Sequence, residues 1–264
     1  MKNKKNNELA VCGFATVKKL EKNHPEKIRR LYFTEEVAPK FGGLCKKLAQ
    51  NHGIYNQKPA ADLEKLSGTV HHQGVVAMID MPQITQLDSD ITDGWIERGE
   101  DAVLLDRIGN ANNFGAIVRS AVFFGIKNVI IPLDEAQSSI TTSSYRVAEG
   151  GMEYVNIYCV QSSVRLLEAM KGKMVRVGTD LKATKTVADM KEIRNAGSPA
   201  RPARKPVLVV LGNEEHGISE AVRSNCDQLV IIPWGGMASG QKESLVDSLN
   251  VAQASSIIFY EMMR

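Results

Sequence analysis

Three stretches of this chain set polar side chains and glycines directly after apolar runs, where side-chain chemistry and backbone approach can meet. The first is GNANNFGAIVRSA, Gly109 to Ala121. Asn112 or Asn113 can cap the helix that this stretch opens. Arg119 follows Asn113 by six residues, near the same helical end, where a cation opposes the macrodipole; such a placement points to an anion. The second stretch is LGNEEHGIS, Leu211 to Ser219. Gly212 admits close approach of a ligand to the backbone and Gly217 permits an unusual turn. Glu214 between them is either a site carboxylate or a turn acid, and a lone loop histidine such as His216 is more often a surface residue. The third is IIPWGG, Ile231 to Gly236, followed by SLNVAQASSII, Ser248 to Ile258. There the proline ends a strand, the glycines open the backbone, and Ser248 and Asn250 stand at a helix start, where they cap it or help to bind an anion. No G-x-G-x-x-G, Walker loop, His/Cys cluster or G-x-S-x-G elbow accompanies them, which removes support from dinucleotide, metal and serine-hydrolase chemistry.

These loops need elements to hold them. Val207 to Leu211 and Leu229 to Ile232 are short, β-branched apolar runs of the kind found in buried parallel strands. Loops at the carboxyl ends of such strands form ligand pockets in open α/β sheets, and two adjacent loops make a small-molecule pocket here. Upstream, DAVLLD (Asp101 to Asp106), KNVIIPL (Lys127 to Leu133), NIYCV (Asn156 to Val160) and MVRVGTD (Met174 to Asp180) read as further strands alternating with helices. That alternation predicts a parallel sheet covered on both faces. A smaller α/β unit precedes it, with a helix over Val11 to Lys22, strands at Ile28 to Thr34 and Gly74 to Asp80, and a disordered tail at 1–8. Pattern is lost over Met81 to Gly94, apart from a short segment at Trp95 to Arg98. Domains are therefore expected at 1–80 and 98–264 with a linker at 81–97. Lys182 to Lys205 reads as a surface loop.

The 264 residues are 43% hydrophobic and 24% charged, an ordinary globular composition of about two domains. No apolar run reaches the roughly 20 residues of a membrane span, and the basic start has no apolar core behind it. Cys12, Cys45, Cys159 and Cys226 are scattered without a C-x-x-C pair, as expected for reduced thiols in a cytoplasmic protein without a bound metal. Net charge is +3, yet residues 1–50 hold twelve Lys or Arg against five acids. A basic segment on a nearly neutral body suggests a polyanionic partner, or else a solvated face.

The three motifs, in this order, resemble the SpoU branch of the SPOUT RNA methyltransferases: LLDRIGNANNFGAIVRSA, VVLGNEEHGIS and IIP…SLNVAQASSII. GFATV and HHQGVVAMI (His71 to Ile79) resemble the small substrate-binding domain that often precedes this catalytic domain, so the similarity covers nearly the whole chain. The resemblance implies a parallel α/β domain with a C-terminal trefoil knot, which topology rules alone do not propose. It implies a homodimer that transfers a methyl group from S-adenosylmethionine to a ribose 2′-hydroxyl of rRNA or tRNA. By motif, Asn113, Arg119, Glu214, Ser248 and Asn250 carry the reaction. Leu211, Gly212, Ile231, Ile232, Leu249, Ser248 and Asn250 hold the cofactor. Family accounts make the arginine a general base; the chemistry of a guanidinium favours holding phosphate and stabilising the alkoxide instead.

Two departures stand out. Asn110-Ala111 replace the usual Asp-Pro, and WGGMASGQKESLVD lengthens the cofactor-covering loop over 234–247. The second departure raises an alternative, a non-catalytic RNA-binding homologue with an altered pocket. A nicotinamide oxidoreductase on a similar sheet lacks its Gly-rich fingerprint.

Overall fold

The first strand-length run, ELAVC, is buried along its whole length and lies inside a small five-stranded sheet. The computed structural model describes residues 2–3, 7–133, 139–195, 205–237, 246 and 248–264. The chain divides into two units: Met1–Gln83 with Ser139–Tyr154, and Ile84–Ser138 with Val155–Arg264. In the first unit, β1 (Lys2–Asn3) pairs antiparallel with β2 (Glu8–Cys12). The expected disordered tail is therefore partly strand, and the helix expected from Val11 begins at Phe14 (α1, Phe14–Asn23). Gly13, at φ 99, makes the break between them, a conformation that side chains beyond glycine resist.

β3 (Ile28–Phe33), α2 (Gly42–Gln50), β4 (Ile54–Gln57), α3 (Ala60–Ser67) and β5 (Val75–Asp80) complete a five-stranded sheet in the order β1-β2-β5-β3-β4. Only β3 and β4 run parallel. One face packs Ala10, Cys12, Leu63, Val76 and Met78 together. Arg30 pairs with Glu8, whose carboxylate is nearly buried. A later helix, Thr142–Ala148, also lies in this unit and packs on β2, a placement that periodicity does not reveal.

The second unit is an eight-stranded sheet in the order β11-β13-β10-β12-β7-β8-β9-β6. It opens with β6 (Thr85–Gln86), α4 (Ser89–Arg98), β7 (Ala102–Asp106), α5 (Ala111–Phe123) and β8 (Asn128–Pro132). The helix Thr142–Ala148, α6, then belongs to the first unit. β9 (Asn156–Val160), α7 (Ser163–Ala169), β10 (Val175–Thr179), β11 (Lys185–Thr186) and α8 (Met190–Asn195) follow. β12 (Val207–Gly212), α9 (Glu220–Arg223), β13 (Gln228–Ile231) and α10 (Val251–Met263) end the chain. Every strand pairing in this sheet is parallel. Both faces of β7, β8 and β12 are buried, which explains their unbroken apolar runs.

Three expectations are corrected here. α4 replaces much of the supposed linker: Asp88 caps it, accepting from the Ile91 N–H at 2.9 Å, and Trp95 is buried in the core. The helical spacing of Ile91 and Trp95 outweighs the turn-forming composition around them. Within the supposed loop 182–205, the described part forms β11 and α8, because Arg194 turns inward to Asp101 (2.9 Å) and the Met262 carbonyl (3.1 Å). Residues 196–204 lie outside the described set. Finally, β12 and β13 are not neighbours; β10 lies between them, so their loops flank a third strand end.

Candidate active site

β7 and β12 are adjacent and parallel, so the residues that follow them emerge side by side. At the end of β7, Asp106 is buried and its Oδ2 accepts the Ser219 N–H at 3.1 Å. Arg107 follows at φ 62, left-handed and unusual for a side chain of that size. Its carbonyl accepts from Asn213 Nδ2 at 3.2 Å and its guanidinium donates to the Gly217 carbonyl at 3.2 Å. One residue thus grips both ends of the Asn213–Gly217 turn. The motif letters offered no signal for Asp106 or Arg107 beyond their place directly after a strand.

The turn itself is built by Asn213. Its Oδ1 accepts the N–H groups of Glu215 (2.9 Å) and His216 (3.2 Å), and its carbonyl accepts the Gly217 N–H at 2.8 Å. Gly217 sits at φ 63, as expected for an unusual turn, and His216 is exposed. A Cβ on Gly212 would lie 2.3 Å from the Gly217 carbonyl carbon. The close approach at Gly212 is therefore made by the loop's own backbone.

At the start of α5, Asn110 is the cap: its Oδ1 accepts the Asn112 N–H at 2.8 Å. Neither Asn112 nor Asn113 caps, as the sequence allowed. Asn110 meets the orphan N–H that the usual aspartate would meet, and Asn113 is released for other work. Asn113 Nδ2 donates to Glu214 Oε1, and Asn113 Oδ1 accepts from Asn250 Nδ2 at 3.1 Å. Asn250 in turn caps α10, accepting the Ala252 N–H at 2.9 Å. The chain Glu214–Asn113–Asn250 joins three segments far apart in sequence, and fixes both ends of the central amide.

Arg119 is placed differently from the expectation. Because α5 starts at Ala111 and ends at Phe123, Arg119 lies one turn from its C-terminal end, where the macrodipole favours a cation. Six helical residues also turn it about 120° around the axis from Asn113. It is exposed, as are Ser248 and Leu249. Leu211, Gly212 and Ile231 are buried and Ile232 is half-buried at the carboxyl edge of the sheet. Beyond them the Trp234 indole N–H is buried without a hydrogen-bond partner among the described residues. Most of the lengthened 234–247 loop, residues 238–245 and 247, lies outside the described set.

A parallel sheet that presents main chain, an orphan donor and an amide–carboxylate cluster along one edge is the frame of a small-molecule site in an α/β protein. Comparison with known proteins narrows that class. Residues 101–260 match the SpoU rRNA Methylase family, and residues 10–85 match the family described as RNA 2′-O ribose methyltransferase substrate binding. The chain belongs to the SpoU rRNA methylase family.

Over 260 residues it is 32% identical to the 23S rRNA (guanosine-2′-O-)-methyltransferase RlmB of Acinetobacter baylyi, covering 96% of this chain and 95% of that one. It is 34% identical over 151 residues to an uncharacterized tRNA/rRNA methyltransferase of Haemophilus influenzae, covering 57% of this chain and 42% of that longer protein. The solved structure of the SpoU methyltransferase AviRb from Streptomyces viridochromogenes, in complex with AdoMet, superposes with a TM-score of 0.70 at 25% identity. That match covers 98% of this chain and 90% of AviRb.

Proposed function

We propose that this chain transfers a methyl group from S-adenosylmethionine to a ribose 2′-hydroxyl of a structured ribosomal or transfer RNA. The observation that carries the reading is the hydrogen-bonded chain Glu214–Asn113–Asn250, which brings together one residue from each of the three motifs.

The residues present suit the cofactor. Buried Leu211 and Ile231 offer apolar contact, main chain beyond Ile231 and around Gly212 offers polar groups, and the Trp234 N–H is a donor awaiting an acceptor. Ile232, Ser248, Leu249 and Asn250 complete the holding set. When bound, the cofactor supplies a methyl group already activated by its sulfonium. The protein must then bring the 2′-oxygen into line and manage its proton. Orientation falls to Asn113 and Asn250, whose amides are held rigid by Glu214 and by the α10 cap. Arg119, exposed and turned away from Asn113 on α5, holds a phosphate of the target strand.

The reading includes a homodimer. Phe123 is 81% exposed, and Ile257, Tyr260 and Met263 are exposed on α10, with the Phe124 ring 6.2 Å from that of Tyr260. Ser120 and Ser256, 2.8 Å apart, join α5 to α10 behind this apolar face. A second copy is the occupant that the reading assigns to it, and Phe123→Glu should halve the sedimenting mass. The reading further includes a C-terminal trefoil knot, a cytoplasmic location, and RNA binding by residues 1–80 ahead of the catalytic domain at 98–264.

Calorimetric titration with S-adenosylmethionine, followed by methyl transfer to an in vitro rRNA transcript mapped by alkali resistance, tests the proposal. Micromolar binding and an alkali-resistant linkage are expected. A folded protein that fails to bind the cofactor would overturn catalysis and favour an RNA-binding homologue; cofactor binding without incorporation into rRNA or tRNA would overturn the substrate.

A further inference from the structure

Within the first unit, the end of α3 and the start of α6 enclose a cavity of about 330 Å³, lined by Ser67, Gly68, Thr69, Thr141, Thr142, Ser143 and Arg146. Gly68, left-handed at φ 71, ends α3 and turns the chain so that Thr69 joins the lining. The lining holds hydroxyls and one guanidinium, with no carboxylate and no large apolar side chain. It has nothing to offer a divalent cation, which needs anionic oxygens, or a hydrophobic ligand.

Arg146 stands apart from the other arginines that are largely withdrawn from solvent. Arg30, Arg107, Arg176 and Arg194 each lie against a carboxylate: Glu8, Asp106, Asp227 and Asp101. Arg146 is half-buried, yet no described residue supplies its guanidinium with a hydrogen bond or an ion pair. A desolvated guanidinium without a counter-charge is costly unless an anion comes to it, and its planar fork suits two phosphate oxygens. The cavity is at the small end of ligand pockets, enough for a phosphate and part of its sugar.

We infer that this cavity is a phosphodiester subsite for the substrate RNA, with Arg146 as its cation and the Thr69 and Ser143 hydroxyls as donors. The inference rests on the RNA reading above and adds a specific place where the first unit holds the strand. α6 arises from the connection between β8 and β9 of the catalytic sheet, so this phosphate clamp is contributed by the methylase segment of the chain.

The test is filter binding of the full chain to an in vitro 23S rRNA transcript across a salt series, with wild type, Arg146→Ala and Ser143→Asp. Arg146→Ala should weaken binding roughly tenfold and flatten the salt slope by about one released counterion, with S-adenosylmethionine affinity unchanged. Ser143→Asp covers the event that Arg146→Ala fails to fold. A carboxylate in the first turn of α6 favours the helix, so a purely structural role predicts an equal or higher melting temperature with RNA binding intact. The subsite predicts RNA binding weakened to a similar degree. Unchanged affinity and slope in folded variants would overturn the subsite while leaving the RNA reading standing. A wild type that binds cofactor but no RNA would overturn both. Inorganic phosphate titrated at constant ionic strength separates the sources: an Arg146-dependent phosphate site with unaltered RNA binding would assign the pocket to the free ion and sink the proposal.

Discussion

Replacing Asn113 by aspartate is the sharpest perturbation of the site, because it keeps the shape of the side chain and the acceptor for Asn250. It removes the donor to Glu214 and sets two carboxylates face to face. A lost hydrogen bond to a charged group costs roughly 1.5 kcal/mol at least. Two like charges about 4 Å apart repel by roughly 1 kcal/mol in water and 4 kcal/mol at a dielectric near 20, and both side chains here are half-buried. The sum runs from about 2.5 to about 5.5 kcal/mol, or roughly a hundredfold to ten-thousandfold in rate if it falls on the transition state. Single-turnover methyl transfer at saturating S-adenosylmethionine measures this directly, with cofactor affinity followed by calorimetry. The rate for Asn113→Asp should drop by that factor at pH 7.5. Retention of more than a third of the wild-type rate, or a loss traced wholly to cofactor affinity, would refute the role given to the Glu214–Asn113–Asn250 chain.

Asn250→Ala removes a helix cap as well as a hydrogen bond to Asn113; about 1 kcal/mol of stability and a measurable share of S-adenosylmethionine affinity should go together, read by thermal melting and calorimetry. Gly212→Ala forces a methyl against the Gly217 and Ile218 backbone, so a loss of about 3 kcal/mol in denaturant melts is expected, and wild-type stability would contradict the close contact. Burial works against ionisation of Asp227, but hydrogen bonds from Arg176 outweigh it and hold the carboxyl below its ordinary value. That depression contributes stability above the ordinary carboxylate pKa, lost as pH falls through the lower folded value. Asp227→Asn should therefore cost roughly 2 kcal/mol between pH 5 and 8, discounted for the partial exposure of Asp227, with the gap to wild type closing in acid.

Strand positions in the second unit were legible because both-face burial writes unbroken β-branched runs, as in Val207 to Leu211. The order of those strands was not, since β12 and β13 carry near-identical signals whether or not β10 lies between them. α4 was missed because Pro, Asp and Ser mask a two-residue apolar stripe whose weight comes from the burial of Trp95. In the site, the residue types of Asn113, Glu214 and Asn250 marked them, but their mutual bonding is tertiary. Arg107 left no trace in the letters: its left-handed backbone is imposed by the turn it holds. The cap at Asn110 rather than Asn112 or Asn113 turned on a one-residue choice of helix start, which propensity does not resolve.

The sheet order has a consequence for how the protein is made. β7 pairs with β8 on one side and with β12 on the other, and β12 begins 207 − 106 = 101 residues after β7 ends. On a ribosome adding about 5–20 residues per second, the open side of β7 waits roughly 5–20 s for its partner. During that interval Val103, Leu104 and Leu105 stand beside an unpaired strand edge, the feature that recruits stray strands from other chains. The strand that leads into the Asn213–Gly217 turn is thus the last of the four central strands to be made, and the nascent sheet keeps an open internal edge until it arrives.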